Sequence, residues 1–235
     1  MSLTVIYEDN HVLVAEKPHM IPSQGDASGD ESMVLRVKTY LKETYKKPGN
    51  IYLGLLHRLD RPTGGLMLFA KTSKAATRLS KEIKEQRVTK KYLAVVHGSP
   101  KKKEKLEDYL YKDKKENIVY VCDTEKKDAK YAALTYETLA KGENKSLLDI
   151  TLATGRSHQI RVQLSSRGFP IVGDVKYGKG ERTGLLLYAY QIGFLHPTLK
   201  KQILVTHLPC ATEFAPFAAE IAALQAENQE IWIAE

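Results

Sequence analysis

The chain has 235 residues, 43% hydrophobic and 27% charged, and this composition is typical of a globular protein with an ample core. Its apolar runs are shorter than the roughly 20 residues of a membrane-spanning helix, and its N-terminus does not follow the plan of a signal peptide. The 36 Lys and Arg residues outnumber the 28 acidic ones, giving a formal charge of +8, which favours a polyanionic partner such as nucleic acid.

The first part of the chain alternates short apolar runs with turns and helical periodicity. Two of these runs are predicted to be buried strands that enclose a polar loop. The predicted elements are strands at 5–7 and 11–15, a loop at 22–31, a helix at 32–45, strands at 51–56 and 66–70, and a helix capped by Ser73.

The second part is dominated by strands, with Lys-, Asp- and Glu-rich turns between them. The predicted elements are strands at 88–98, 118–122, 129–139, 147–153, 185–194 and 202–207, a helix capped by Ser157 that stops at Gly168, and a terminal helix at 218–226. Short strands with a few helices predict an α+β fold, built mainly on antiparallel pairing, in one domain over residues 1–235.

The loop between the two predicted buried strands carries the first chemical signal. It reads His57-Arg58-Leu59-Asp60-Arg61-Pro62-Thr63-Gly64-Gly65. A loop held between buried strands presents its side chains with little freedom to move, which suits reactive groups. The residues alone also allow a plainer interpretation, in which Asp60 is a turn residue that accepts backbone N–H bonds and the charges form a solvated ion pair.

Two further stretches combine basic and aromatic residues. Lys90-Lys91-Tyr92 lies in a predicted strand, where a tyrosine most often packs in the core or at an edge. Thr154-Gly155-Arg156-Ser157-His158-Gln159-Ile160-Arg161 is predicted to enter a helix. The start of that helix is expected to attract anions, although an ordinary surface helix with basic residues fits the pattern equally well.

The sequence gives no reason to expect a cofactor or a metal. Residues 173–180 follow the spacing of a phosphate-binding loop as far as Lys179, but Gly180 stands where Ser or Thr would hold Mg²⁺. The seven His residues show no spacing typical of metal ligands. Cys122 and Cys210 are too far apart for a metal motif or a disulfide framework, so the cytoplasm is the predicted location.

Taken together, three ordered stretches resemble the signatures of the RluA-type RNA pseudouridine synthases. They are His57-Arg58-Leu59-Asp60 followed by Thr63-Gly64-Gly65 and Ala70-Lys71, then Lys90-Lys91-Tyr92, then Gly155-Arg156-Ser157-His158-Gln159-Ile160-Arg161. The resemblance implies a mixed, largely antiparallel sheet with a central cleft and flanking helices. It further implies a catalytic domain without the N-terminal RNA-binding domain of many relatives, and we expect a monomer. Gly64 and Tyr188 depart from the family pattern, which usually has Ser and His there.

The resemblance also implies the catalytic residues. Asp60 would act on the ribose of a flipped-out uridine, either by attack at the anomeric carbon or by removal of the 2′ proton. Tyr92 would pack against the uracil, and its hydroxyl could transfer a proton. Arg161 would pair with Asp60, and an arginine within about 4–6 Å lowers the pKa of a carboxylate by roughly 1–3 units.

Five residues are expected to contact the RNA. By resemblance, Arg58 would occupy the place that the flipped uridine leaves in the base stack, while Arg61 and Arg156 would lie near phosphates. His57 and His158 complete the predicted RNA-binding set. The motifs are specific for the family but leave open whether the substrate is ribosomal RNA, transfer RNA or both.

Two other functions compete with uridine isomerisation. An RNA-binding module without chemistry would use the same basic residues and leave the RNA unchanged. A glycosidase usually needs a second carboxylate about 5–10 Å from the first, and Asp174 is the nearest candidate in the motifs.

Overall fold

A computed structural model of the protein describes residues 3–46, 48–124, 126–178, 184–210, 212, 214–228 and 230–234. The strands in these residues are β1 (Val5–Glu8), β2 (Val12–Lys17), β3 (Gly54–Leu55), β4 (Gly64–Ala70), β5 (Thr89–His97), β6 (Lys103–Asp113), β7 (Ile118–Cys122), β8 (Lys130–Lys141), β9 (Lys145–Leu152), β10 (Leu187–Leu195), β11 (Gln202–Thr206) and β12 (Ile231–Ile233). The helices are α1 (Met33–Thr44), α2 (Ser73–Lys84), α3 (Gln159–Ser165) and α4 (Ala218–Glu227), with a 3₁₀ turn at Ala215–Phe217.

The predicted α+β class with mostly antiparallel strands is confirmed. The described residues fall into two compact units. One takes in residues 1–89, 189–208 and 227–235, and the other takes in residues 90–188 and 209–226. The single catalytic domain and its cleft stay predictions. No helix within the described ranges is long and apolar enough to cross a membrane.

The first unit is organised around β4, which is buried along its whole length because Gly64–Ala70 is apolar on both faces. β4 pairs with β2 in antiparallel register, with Leu13 opposite Phe69, and it also lies next to β10. β1, β11 and β12 extend the sheet, and β3 pairs with the end of β4. The core of this unit consists of Val12, Val14, Leu66, Leu68, Leu79, Val88, Ile192, Phe194, Ile203 and Val205.

Both helices of the first unit begin at side-chain caps. The hydroxyl of Ser32 accepts the Leu35 N–H at 3.3 Å, which confirms the predicted start of α1. The predicted cap of α2 was wrong by one residue. Thr72 has the extended backbone of an N-cap and accepts the Ala75 N–H at 3.2 Å, whereas Ser73 is already helical.

The second unit contains the meander β5-β9-β8-β6-β7, in which neighbouring strands are antiparallel. Its strands place Tyr92 of β5 opposite Ile150 of β9. Helix α3 packs on the far end of the meander, where Val162 joins Leu110, Val119 and Ala132 in a small core.

The predicted Ser157 cap of this helix was wrong. α3 begins at Gln159, after His158, whose backbone is left-handed with φ 51° and whose side chain makes no capping bond. The Ser157 hydroxyl instead accepts a hydrogen bond from the Lys112 ammonium at 3.2 Å. The helix has only seven residues, so the expected anion site at its start loses the support of a long helix dipole.

Two strands were not predicted, and a third is shorter than expected. β6 was not predicted, because its apolar positions Leu106 and Leu110 stand among charged residues whose side chains face outward. β12 was also missed, and its Ile231, Trp232 and Ile233 are all exposed. The strand predicted over 51–56 shortens to the two residues of β3.

We predict that Gly65→Ala strongly destabilises the first unit. Gly65 has φ +115°, and a Cβ there would lie 2.3 Å from the carbonyl oxygen of Ala189 in β10. Backbone strain and overpacking together should lower the free energy of unfolding by about 3 kcal/mol or more, measured by urea denaturation. Gly25→Ala is the matched control, because nothing lies within 4 Å of its Cβ position. Equal stability of the two variants would contradict the close approach of β4 and β10.

Candidate active site

The backbone around Asp60 is held by side chains from the segment that follows β2. The Ser23 hydroxyl donates to the Leu59 carbonyl at 2.7 Å and accepts the Leu59 N–H at 3.0 Å. On the other side of Asp60, His19 Nδ1 donates to the Pro62 carbonyl at 2.7 Å. The Asp60 side chain is half-buried. A carboxylate is therefore presented on a loop whose backbone is fixed on both sides.

Lys17 is the strongest of these anchors. Its side chain is fully buried, and its ammonium donates at 3.0, 2.7 and 2.9 Å to the carbonyl oxygens of Pro18, Ile21 and Arg61. Burial lowers the pKa of Lys17 to about 7, the negative charge of Asp60 acts in the opposite direction, and Arg61 adds to the lowering. Three carbonyl acceptors match the three N–H groups of the charged form. Lys17 thus joins two segments of backbone and places a cation close enough to interact with Asp60.

His57 and Arg58 precede Asp60 on this loop but differ in their surroundings. His57 Nε2 accepts the Leu68 N–H at 3.0 Å. This bond attaches the start of the loop to β4 just beyond the last pair of β3 and β4, Leu55 opposite Phe69. Arg58 is exposed, and it has no hydrogen-bond or ion-pair partner among the described residues. Of the two, Arg58 therefore has the side chain that RNA could engage without breaking a described contact.

Arg61 is already engaged by acidic residues of the loop at 22–31. Its Nη1 lies 2.6 Å from Asp30 Oδ2, and its Nη2 lies 3.3 Å from Asp26 Oδ2. The Ser28 hydroxyl accepts a third bond from Nη2 at 2.5 Å. All three partners are exposed, so an RNA phosphate would compete with solvated carboxylates for this guanidinium.

Tyr92 lies in β5 with 7% of its surface exposed. This burial fits the ordinary packing role of a strand tyrosine, and its predicted contact with uracil stays a prediction. Successive side chains of a strand point to opposite faces, so Lys91 lies on the face opposite Tyr92. The Lys91 ammonium pairs there with Asp149 at 2.9 Å. Tyr92 and Lys90 therefore point to the same face.

Arg161 is buried and makes a two-pronged ion pair with Asp174. Its Nε and Nη2 lie 2.8 and 2.7 Å from the two carboxylate oxygens. Burial raises the pKa of Asp174, but the Arg161 guanidinium and the N–H groups of Lys176 and Tyr177 outweigh burial and hold that pKa below its usual value. Asp174 is thus suited to fix Arg161 and unsuited to act as the proton donor of a glycosidase. The predicted pairing of Arg161 with Asp60 is untested.

The loop before α3 is fixed by the buried side chain of Gln159. Its Oε1 accepts from the Thr154 hydroxyl at 2.7 Å and from the Arg156 N–H at 3.0 Å. Its Nε2 donates to the Ala133 carbonyl of β8 at 3.0 Å. Arg156 is exposed, and its Nε donates to the Tyr131 carbonyl at 2.8 Å.

His158 is oriented by a tyrosine hydroxyl. The Tyr177 hydroxyl accepts the Val119 N–H at 2.8 Å and lies within hydrogen-bond distance of His158 Nδ1, at 2.7 Å. This contact fixes the orientation of the imidazole ring. The contact of His158 with RNA stays a prediction.

Sequence reasoning missed Lys17, Lys90 and Asp174 as parts of the site. Lys17 ends the apolar strand β2, and a lysine in that place is a signal for a buried and bonded amine. Asp174 was considered only as an alternative acid. The described residues hold no cluster of three or more His, Cys, Asp or Glu side chains that could bind a metal ion.

Comparison with known proteins places these features in context. The family model described as "RNA pseudouridylate synthase" matches residues 11–166. "Ribosomal large subunit pseudouridine synthase C" of Buchnera aphidicola is 35% identical over 217 residues, which cover 86% of this chain and 65% of that protein. The "D" enzyme of Zymomonas mobilis is 29% identical over 216 residues, which cover 86% and 67%. This chain therefore spans about two thirds of the length of these relatives or slightly less.

A solved structure, "Human RNA Pseudouridylate Synthase Domain Containing 4", has a similar fold. The TM-score is 0.74 at 22% identity, and the match covers 94% of this chain and 93% of that one. This likeness agrees with the α+β fold described above.

We predict that Lys17→Met destabilises the protein, because it leaves the carbonyl groups of Pro18, Ile21 and Arg61 without the donor that joins them. Unfolding in urea should show a loss of about 3 kcal/mol or more. Lys74→Met is the control, since Lys74 is exposed on α2 and should change stability by less than about 0.5 kcal/mol. A Lys17→Met protein as stable as the control would mean that these bonds do not hold the loop.

We predict that Asp174→Asn costs about 3–5 kcal/mol of stability at neutral pH, because it removes the carboxylate that forms a two-pronged ion pair with the buried Arg161 guanidinium. The pKa of Asp174 is lower in the folded state than its usual value of 3.8. The Asp174 carboxylate therefore stabilises the fold fully above pH 3.8, and this stabilisation is lost as the pH falls through the pKa of Asp174 in the folded protein. Unfolding curves from neutral to acidic pH should show the two proteins converging in acid. A constant difference at every pH would contradict the ion pair.

Proposed function

This chain belongs to the RNA pseudouridylate synthase family, and we propose that it isomerises uridine to pseudouridine in RNA. The observation that carries the proposal is the fixed loop that presents Asp60. Ser23 and Lys17 hold the backbone on either side of it, and the Lys17 ammonium interacts electrostatically with the carboxylate. A carboxylate positioned in this way suits chemistry at a sugar.

The proposed reaction breaks the bond from uracil N1 to ribose C1′, turns the base, and forms a bond from C5 to C1′. The C5 proton leaves and N1 gains a proton, so atoms and electrons balance without an oxidant or reductant. Asp60 would act either by attack at C1′ or by taking the 2′ proton, and both routes use the same side chain. The target base would be flipped out of its stack at a cost of a few kcal/mol.

The remaining predicted residues have roles that match their surroundings. The exposed side chain of Arg58 is available to fill the gap in the base stack. Arg61 would exchange Asp26 and Asp30 for a phosphate, and Arg156 would contact a second phosphate with its Nη groups. We also propose that the protein acts as a monomer in the cytoplasm.

Four predicted contacts complete the proposed complex. Tyr92 would pack against the flipped uracil, and Arg161 would pair with Asp60 while Asp174 holds its other edge. His57 and His158 would donate to the RNA.

The substrate class is structured RNA. The names of the bacterial relatives refer to the large ribosomal subunit, which supports ribosomal RNA as the first substrate to test. Transfer RNA is the second, since the motifs do not separate the two.

We predict that Asp60→Asn abolishes pseudouridine formation and largely retains RNA binding. The change removes the reactive carboxylate but keeps the size of the side chain. Unmodified transcripts of Bacillus subtilis large-subunit ribosomal RNA and transfer RNA would be incubated with each protein, digested and analysed by nucleoside chromatography. The activity should fall by at least about 10⁴-fold, as expected for loss of a group that makes the covalent or proton-transfer step.

Asp123→Asn serves as the matched control, because it makes the same change at an exposed Asp that no proposed contact uses. Turnover by Asp60→Asn would contradict the assignment. Wild-type protein that binds these RNAs and leaves their nucleosides unchanged would favour the RNA-binding module without chemistry.

A further inference from the structure

Lys90 carries a largely buried amine that no described residue neutralises. It forms no hydrogen bond or ion pair with the described residues, whereas its neighbour Lys91 pairs with Asp149. Burial alone lowers the pKa of Lys90, and no described carboxylate opposes that effect. An amine in this position is costly to the folded protein unless a ligand supplies the missing charge.

The amine of Lys90 lies against the loop at 154–158. Its Nζ would be 3.3 Å from a Cβ at position 155, which is a glycine. Any larger residue there would crowd the amine, so Gly155 keeps open the space beside it. The loop itself is rigid, because Gln159 bonds to both Thr154 and Arg156.

Two other cations reach the same loop. The Lys112 ammonium, from β6, donates to the Ser157 hydroxyl at 3.2 Å. Arg156 uses only its Nε on the protein, and its Nη groups make no hydrogen bond with a described residue. Two positive side chains, from β5 and β6, thus lie against the loop at 154–158, and a third belongs to the loop itself.

We propose that Lys90, together with Arg156 and Lys112, binds a phosphodiester group of RNA at the loop 154–158. A phosphodiester has two non-bridging oxygens that share one negative charge, and they can accept bonds from an ammonium and a guanidinium at once. It also repeats along the RNA backbone, so such a contact positions the strand without reading its sequence. The choice of RNA as ligand rests on the proposed function, whereas the anion subsite rests on Lys90 and its loop.

The test compares Lys90→Met with Lys91→Met, which removes the same charge from the adjacent residue on the opposite face. Binding of each protein to the large-subunit ribosomal RNA transcript of Bacillus subtilis would be measured by filter binding over a series of KCl concentrations. Lys90→Met should weaken binding about tenfold at low salt and reduce the slope of log K against log salt by about 0.7–0.9. Lys91→Met should leave the slope unchanged.

The stability of the RNA-free proteins supplies a second readout. Because Lys90 is partly buried and has no partner among the described residues, Lys90→Met should unfold at the same or a higher urea concentration than the wild type. A purely structural role predicts a lower midpoint. Lys90→Gln repeats the binding and unfolding experiments with a polar, neutral side chain. Failure of both Lys90 variants to fold would overturn the proposal.

An unchanged salt slope in Lys90→Met, or an equal decrease in Lys91→Met, would also overturn it. Pseudouridine analysis of the same samples keeps the two proposals apart. Wild-type protein without isomerase activity but with a Lys90-dependent slope would refute the proposed reaction and support the phosphodiester subsite. Protein that forms pseudouridine but shows the same salt slope with and without Lys90 would support the proposed reaction and refute the phosphodiester subsite.

Discussion

The buried ammonium of Lys17 is the interaction on which the candidate site depends. It ends β2, and its three hydrogen bonds tie the segment that follows β2 to the carbonyl of Arg61, directly after Asp60. An apolar side chain could fill the same volume but could not satisfy these carbonyl groups. One lysine therefore fixes the position of the loop and places positive charge near the carboxylate that the proposed reaction uses.

Two buried cations, Lys17 and Arg161, contrast with the partly buried Lys90 in how their charge is compensated. Lys17 is surrounded by carbonyl oxygens, and Arg161 is paired with the carboxylate of Asp174. Lys90 has neither kind of partner among the described residues. Because two of the three are fully compensated within the protein, the exception is best explained by a ligand. The proposed phosphodiester contact gives Lys90 the partner that its surroundings do not supply.

The sequence predicted the elements whose apolar residues dominate their local pattern. β4 and β7 were found because nearly every residue favours a strand, and α1 because Ser32 precedes a clear helical period. β6 was missed because charged residues surround its two buried leucines, so the apolar pattern of a strand is weak. α3 begins later than predicted because His158 has a left-handed backbone, which local composition does not reveal. Within the site, resemblance supplied Asp60, Tyr92 and Arg161, but contacts such as Arg161–Asp174 depend on tertiary packing and were beyond sequence reasoning.

Release of hydrogen from C5 of uridine is the most direct measure of the proposed isomerisation, because formation of the C5–C1′ bond must displace that hydrogen. RNA transcribed with uridine tritiated at C5 would be incubated with the wild-type protein, and tritium appearing in water would be counted. We predict that tritium is released from a large-subunit ribosomal or transfer RNA transcript, up to the number of uridines that are modified. Binding of both RNAs without any release of tritium would contradict it.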